Sequence, residues 1–336
     1  MQFKIRITHF VIRQYIRRIA ATFCSLIFFF QMANAQTVEF VPLGISLTSI
    51  EISNTSYDRI LTSNSSSASV LEVYRDRNHI NDKAVTGSIT HEVTALRLSF
   101  QYGLFKSINL GFSIPYLDNQ RKSSIRLVDS GQSDFYQSVD NAGSTGTGDL
   151  EVYGIWRLFY TDEADLQLGM ALNGDRAPYN HDNLDKEPLG SGSQELSVFL
   201  RWYNYSIDSS LLLAFEAEHT WTGDSTVKIA DGLEAEKSQE NSMHLKLDLS
   251  ANSGGIGYGA GWKMQIVGSN KLDGDSQKDG YLAYTLNGFL TLGNLHILEN
   301  QVIRNPWEVK ILAEKNMIGN NAPDAQTLSV KLTTFF

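Results

Sequence analysis

Charged side chains recur at alternate positions in several segments of the chain, each set opposite a row of apolar residues. Residues that alternate in this way project from one face of a β-strand. If several such strands turn their polar faces toward a common interior, these side chains line that interior. We expect six of them to line a pore: Arg97, Arg157, Arg201, Glu216, Glu218 and Lys263.

Further charged residues share the same phase, so the predicted interior is mixed in sign. They are Glu151, Glu195, His244, Lys246, Asp248, Glu308, Lys310 and Lys331. Opposite charges inside a closed barrel either pair and fill the interior or leave a narrow path between them. The sequence leaves both alternatives open.

Residue types that support hydrolysis are present, but not in a catalytic arrangement. His219 lies near the end of an apolar face, where a lipase-like site would also need a serine, and no serine stands at a matching position. His181, Asp182 and Asp185 occur in a segment rich in Asp and Asn, which is typical of a solvated loop. We therefore predict that the protein is not an enzyme.

A group of aspartates has the residue types of a calcium loop without its spacing. Asp273, Asp275 and Asp279 stand in Leu272-Asp-Gly-Asp-Ser-Gln-Lys-Asp-Gly280. The closing glutamate and the twelve-residue pattern of a calcium-binding loop are missing. This segment predicts an ordinary turn, and we expect neither a metal site nor a cofactor.

The elements that carry the charged residues are β-strands. Apolar residues recur with a period of two rather than 3.6 in segments close to the length of a strand that crosses a bilayer, about 9–11 residues. The segments lie near 40–53, 96–102, 108–116, 150–158, 166–172, 196–202, 211–217, 243–249, 256–266, 282–292, 307–318 and 327–336. They predict twelve strands. Fourteen is the alternative, because residues 295–318 are too many for one span and Asn305-Pro306 interrupts them.

The connections distinguish a barrel from a β-sandwich, whose strands alternate in the same way. Short links alternate with long polar ones, the latter near 54–88, 119–147, 174–193 and 223–240. This asymmetry is typical of an up-and-down barrel with tight periplasmic turns and large extracellular loops. The fold class is therefore all-β: a transmembrane antiparallel up-and-down β-barrel of about twelve strands.

The N-terminus is typical of a secretory signal peptide. Residues 1–18 carry basic but no acidic residues, residues 19–30 are largely apolar, and Ala33-Asn34-Ala35 follows. We expect cleavage after Ala35, which leaves residues 36–336 as a single barrel domain in the bacterial outer membrane. The cleaved segment contains Cys24, the only cysteine. The net charge of −9 in the full sequence argues against nucleic acid as a partner.

The last ten residues alternate up to the final aromatic, so the chain ends on a strand. An open sheet edge is not tolerated in lipid, and a terminal paired strand closes a barrel. Phe336, Leu332 and Val330 lie on one face, and this pattern resembles the signal read by the barrel-assembly machinery of the outer membrane. That machinery, outer-membrane lipid and lipopolysaccharide are the expected partners, together with a small-molecule solute. The sequence does not specify an oligomeric state.

Two segments resemble a known family: Leu104-Phe-Lys-Ser-Ile-Asn-Leu-Gly-Phe-Ser-Ile-Pro-Tyr116 and Gly146-Thr-Gly-Asp-Leu-Glu-Val-Tyr-Gly-Ile-Trp-Arg157. They are similar to the outer-membrane channels of the MetA-pathway of phenol degradation family, over residues 85–336. The resemblance implies passive uptake of small hydrophobic or aromatic molecules and supplies no catalytic motif. The alternative is a structural or adhesion barrel whose long extracellular loops bind partners without transport.

Overall fold

The computed structural model describes residues 40–62, 66–77, 85–127, 141–174, 187–206, 211–229, 233–253, 256–277, 279–293 and 306–336. The predicted signal peptide, with Cys24, lies outside these residues. The elements in chain order are β1 (Ser46–Tyr57), β2 (Arg59–Leu61), β3 (Ser67–Ser69), α1 (Val70–Arg77), β4 (Val85–Phe105), β5 (Ile108–Leu127), β6 (Ala142–Thr147), β7 (Glu151–Tyr160), β8 (Ala164–Asn173), β9 (Glu195–Ser206), β10 (Leu211–Thr222), β11 (Ser225–Ile229), β12 (Leu233–Gln239), β13 (Ser242–Ser253), β14 (Ile256–Val267), β15 (Asn270–Leu272), β16 (Asp275–Ser276), β17 (Tyr281–Gly293), β18 (Trp307–Asn320), β19 (Ala322–Pro323) and β20 (Gln326–Phe335).

Twelve of these strands form a closed antiparallel barrel, as the sequence predicts. Their order is β1-β4-β5-β7-β8-β9-β10-β13-β14-β17-β18-β20, and β20 pairs with β1. Every pair of neighbours in this order is antiparallel and adjacent in the chain apart from small extracellular elements. Closure leaves no edge, so the backbone groups of each strand are paired within the sheet.

Alternation along each strand separates an apolar outer face from a polar interior. On β1 and β4 the side chains of Ile50, Ile52, Leu96 and Leu98 are exposed on the outside of the sheet. The charged residue between the two isoleucines, Glu51, points inward and lines the lumen. An exposed band of this kind is stable only against lipid, because water would be ordered around it.

The connections have the predicted asymmetry. β4 and β5 are joined by Lys106 and Ser107 alone, whereas the loops at the other end carry β2, β3, α1, β11, β12, β15 and β16. The strand lengths differ from expectation, because β4 has 21 residues and β5 has 20. Residues 119–127, predicted to begin a loop, continue β5 beyond the membrane. Their polar, alternating pattern supports a hydrated hairpin after the apolar band ends.

The barrel wall is interrupted between β5 and β7. β7 pairs with the lower part of β5 as far as Ser113, and β6 pairs with the upper part from Tyr116 onward. Pro115 lies at the interruption and has no N–H to donate, while its carbonyl accepts a hydrogen bond from Gly148 N at 2.8 Å. The predicted strand near 150–158 is thus β7, whereas β6 is a short strand within residues 119–147, which the sequence predicts as a loop.

The start of β1 and the end of β20 meet at the periplasmic end of the closing pair. Phe336 N donates to Ser46 O at 2.9 Å, and Ser46 N donates to Phe336 O at 3.1 Å. Phe336, Leu332 and Val330 are exposed on the lipid-facing side, as the alternation predicts. Their role as an assembly signal remains a prediction.

The first strand begins later than the sequence pattern indicates. Residues 40–53 were expected to form one strand, but β1 starts at Ser46, and residues 40–45 turn into the lumen. Gly44 makes this turn with a φ of 76°. The segment passes so close to the wall that a Cβ on Gly103 would collide with the carbonyl of Pro42.

In the part of the chain that the structure describes, no helix is long and apolar enough to span a membrane.

The lipid-facing assignment predicts a strong position effect for a charge on β4. Leu98→Arg places a cation near the middle of the apolar band and is expected to lower the free energy of unfolding by about 2–4 kcal/mol. Ser88→Arg, on the extracellular extension of the same strand, is the matched control and should change it little. Urea titration of the folded barrel in lipid vesicles measures both. Equal effects of the two substitutions would contradict the assigned membrane position.

Candidate functional site: the barrel lumen

A cavity of about 320 Å³ lies inside the barrel. Nine of the twelve barrel strands contribute side chains to it, because every second residue points inward; β13, β14 and β17 contribute none. Its charged lining consists of Glu51, Arg97, Glu151, Arg201, Glu218, Glu308, Lys310 and Lys331. Acidic and basic residues are equal in number there. Leu47, Tyr153, Ala171 and Phe199 add an apolar and aromatic part to the lining.

Three of the six residues predicted to line a pore are in the lining of this cavity: Arg97, Arg201 and Glu218. Glu216 is adjacent and forms a close ion pair with Arg201. Glu218 is 3.8 Å from Nδ1 of His244. Side chains on β9, β10 and β13 are therefore held largely by ion pairs with one another.

Arg97 and Lys331 lie on the other side of the lumen. Glu51 stands directly opposite both of them in the strand register. Among the described residues, neither cation is within 4 Å of a carboxylate. Lys331 is also opposite Lys310, and like charges facing each other on adjacent strands are unfavourable. This side of the cavity therefore presents cations to whatever enters.

Lys263 does not line the cavity. It lies on β14 between Lys246 and Thr285 in the register, nearer the middle of the opposite wall. Lys246 is paired with Asp248 at 2.8 Å. The predicted role of Lys263 in a pore stays a prediction.

Arg157 lies below the cavity, at the periplasmic end. Its Nη2 donates to Asp165 at 2.7 Å, and Gln167 donates to the same carboxylate oxygen at 3.0 Å. The guanidinium carbon is 3.9 Å from the centre of the Phe40 ring and 4.4 Å from that of Tyr160. Cation–π contacts of this kind hold an aromatic ring in place. Arg157 thus anchors the inward-folded N-terminal segment.

Phe40 is buried against β7, β8 and β9 near the periplasmic end of the lumen. Its side chain is only 3% exposed and packs with Ile155, Ala171 and Phe199. The next residue, Val41, packs against Phe335 on the inner face of β20. The sequence does not predict this inward turn. Phe40 and Val41 fit the alternating pattern of the predicted first strand, and the turn at Gly44 separates them from it.

A small folded cap lies over one side of the extracellular end. It contains α1 and the three-stranded sheet β19-β2-β3, so it joins the loops beside the first and last barrel strands. Ser69 and Glu72 form a reciprocal capping box at the start of α1, with hydrogen bonds of 2.7 and 3.2 Å. The apolar core of the cap is Ile60, Val70, Leu71, Val85 and Ile89.

Residues 187–194, which we call the strap, lie beside this cap at the extracellular mouth. Glu187 forms a 3.4 Å ion pair with Arg121, and both side chains are largely buried. Burial raises the pKa of Glu187, and Arg121 only partly offsets this. Burial lowers the pKa of Lys237, whose ammonium group donates to the carbonyl of Ser191. The strap and Phe40 therefore lie at opposite ends of the lumen.

The described side chains of the other candidate sites have other partners. Asp273 accepts the N–H of Glu236 at 2.8 Å, and both carboxylate oxygens of Asp279 accept from Asn270. Within the described ranges, no three His, Cys, Asp or Glu residues are placed to hold a metal ion. His219 stacks edge-on against Trp221, with ring centres 4.4 Å apart. His181, Asp182 and Asp185 lie outside the described residues.

The sequence matches no protein-family model and is not detectably similar to a curated protein. The structure is similar to that of an outer-membrane channel from Pseudomonas putida F1, with a TM-score of 0.65 at 15% identity, covering 90% of this chain and 100% of that chain. This likeness shows a common barrel fold.

Two weaker likenesses are the β domain of the Bordetella autotransporter BrkA and a mutant of the monoaromatic hydrocarbon channel TodX. The first has a TM-score of 0.44 at 9% identity and covers 86% of this chain and 98% of that chain. The second has a TM-score of 0.39 at 10% identity and covers 90% and 92%. With TM-scores below 0.5, these two likenesses support no conclusion about topology or function.

Replacement of Arg97 and of Arg201 by glutamine is expected to have different effects. Arg97→Gln removes a cation that has no close carboxylate, so it should leave stability unchanged and shift ion selectivity toward cations. Arg201→Gln leaves Glu216 without its partner and is expected to lower the free energy of unfolding by about 1–3 kcal/mol. Reversal potentials in a planar bilayer and urea titration measure the two effects. An unchanged reversal potential for Arg97→Gln would remove Arg97 from the ion path.

Proposed function

We propose that the protein is an outer-membrane channel for passive uptake of small hydrophobic or aromatic molecules. The observation that carries this proposal is the cavity of about 320 Å³ inside a twelve-stranded barrel. Small-molecule pockets typically have volumes of about 300 Å³ or more, and a cavity of about 150 Å³ is large enough to bind benzene. A solute with one or two rings therefore fits, whereas a large polymer does not.

The lining supports a solute of mixed character. Tyr153 and Phe199 offer faces on which an aromatic ring can pack, with centroid separations of roughly 4.5–7 Å for such pairs. Arg97 and Lys331 offer charge or hydrogen bonds to a polar substituent. The predicted pore-lining role of Arg97, Arg157, Arg201, Glu216, Glu218 and Lys263 belongs to this proposal.

Passage requires movement, because Phe40 fills the periplasmic end of the lumen. In this proposal, residues 40–45 are a plug that leaves the lumen for release of the solute into the periplasm. The contacts that hold Phe40 are few: one apolar cluster and the guanidinium of Arg157. Displacement of a single aromatic side chain costs less than opening the hydrogen-bonded wall.

Truncation of the plug tests the proposal. Phe40→Ala should raise the single-channel conductance several-fold and speed the swelling of liposomes in benzoate, because it removes the ring that fills the periplasmic end. Phe105→Ala is the matched control, since Phe105 is exposed on the outer face of the same end. The control should behave as the unaltered protein. Absence of conductance and swelling in all three proteins would count against a channel.

The alternative function is binding by the extracellular loops without transport. The four-stranded sheet β11-β12-β15-β16 is a folded platform outside the barrel, which favours a role in adhesion. This alternative predicts that Phe40→Ala leaves permeability unchanged.

The partners follow from the same proposal. The exposed apolar band contacts outer-membrane lipid, and the polar loops face lipopolysaccharide. Phe336, Leu332 and Val330 form the signal for the barrel-assembly machinery, which their shared outward face at the end of the last strand supports.

A further inference from the structure

The strap crosses the inside of the extracellular mouth. On one side it contacts inward-pointing residues of β5: Asn119 donates to the carbonyl of Pro188 at 3.0 Å, and Arg121 pairs with Glu187 at 3.4 Å. Tyr57, at the end of β1, interacts electrostatically with Glu187 as well. The strap therefore lies within the rim of the barrel.

The middle of the strap fits into the interruption of the barrel wall. Leu189 is only 7% exposed and lies against Gly146 and Gly148, where a Cβ would leave it too little room. Next to it, Ser191 N donates to Asp149 at 2.8 Å. The middle of the strap is thus bound where the barrel wall is interrupted at Pro115.

The far end of the strap is attached to the loop between β10 and β13. Gly223 N donates to the carbonyl of Gln194 at 2.8 Å, and the hydroxyl oxygens of Ser193 and Ser225 are 2.9 Å apart. Lys237 of β12 donates to Ser191. β5 and β10 are separated by three strands in the barrel, so the strap bridges an arc of the mouth.

These contacts are mostly polar, and this makes docking easy to reverse. The ion pair of Arg121 with Glu187, and the ammonium of Lys237, lose hydration when the strap docks. Desolvation of buried charges cancels much of the attraction between them. The raised pKa of Glu187 and the lowered pKa of Lys237 reflect that cost. Among the described strap residues, Leu189 is the only large apolar side chain that is buried by docking and so stabilises the docked state.

We propose that the strap is the extracellular gate of the lumen: docked against β5 and the β10–β13 loop it closes the mouth, and undocked it admits solute to the cavity. This inference rests on the proposed channel function. It also gives the lumen two independent closures, the strap above the cavity and Phe40 below it.

A disulfide staple tests the gate in a Phe40→Ala background, where the strap is the remaining closure. The close hydroxyls of Ser193 and Ser225 make S193C/S225C a suitable pair. Oxidation should hold the strap docked and lower the single-channel conductance by an order of magnitude, and reduction with dithiothreitol should restore it. The sole native cysteine, Cys24, lies in the predicted signal peptide.

The matched control is a second staple within the barrel wall. Ser197 and Thr220 face each other on β9 and β10, with hydroxyl oxygens 2.7 Å apart, and S197C/T220C should conduct equally when oxidised and reduced. Equal conductance of oxidised and reduced S193C/S225C, in a protein that conducts, overturns the gate but leaves the channel intact. No conductance in either redox state, nor in Phe40→Ala itself, overturns the channel function instead.

A substitution that frees the strap provides an independent measurement. Arg121→Gln removes the partner of the buried Glu187 carboxylate, so the docked state loses stability. In the Phe40→Ala background we expect longer open times. Arg59→Gln, an arginine of the cap that pairs with Ser67 rather than with the strap, is the control. Equal open times for the two variants would contradict the role of the Arg121–Glu187 pair in gating.

Discussion

The need to pair every backbone N–H and C=O group within the lipid layer governs the structure. Hydrocarbon offers no hydrogen bonds, so a sheet in the membrane has to close on itself. Closure is achieved by ten register pairs between β1 and β20, from Leu47 opposite Phe335 to Ser56 opposite Gln326. The final residue, Phe336, then completes the seam by bonding with Ser46. The pairing of the first and last strands is therefore a direct consequence of the lipid environment.

Closure also decides what fills the interior. Because the strand period is two, lipid on the outside forces the polar half of every strand into the lumen. Twelve strands leave a narrow space, and charges in it have to be neutralised by one another. The ion pairs Arg201–Glu216 and Lys246–Asp248 meet this need on one side. On the other side, Glu51 stands opposite both Arg97 and Lys331 in the strand register, and the three side chains line the cavity.

The two obstructions of the lumen come from chain segments outside the barrel strands. Residues 40–45 are fixed by an aromatic cluster and by Arg157, which is itself positioned by Asp165 and Gln167. The strap is fixed by polar contacts at the point where Pro115 interrupts the wall. A rigid sheet with small movable closures fits a channel better than a wall that has to open, because wall hydrogen bonds in lipid have no substitute.

Hydrophobic alternation and the alternating lengths of the connections predicted a barrel of about twelve strands, and alternation predicted the inward phase of residues such as Arg97, Arg201 and Glu218. Each is a local property, since a strand in lipid has only two faces. The same alternation predicts that Glu51 points inward, because it lies between two outward isoleucines. The sequence could not reveal the Phe40 plug, the strap or the pairing of Arg157 with Asp165. These three features depend on which side chains meet inside the barrel. Closure of the barrel decides which side chains meet, because it brings separate segments into one confined space.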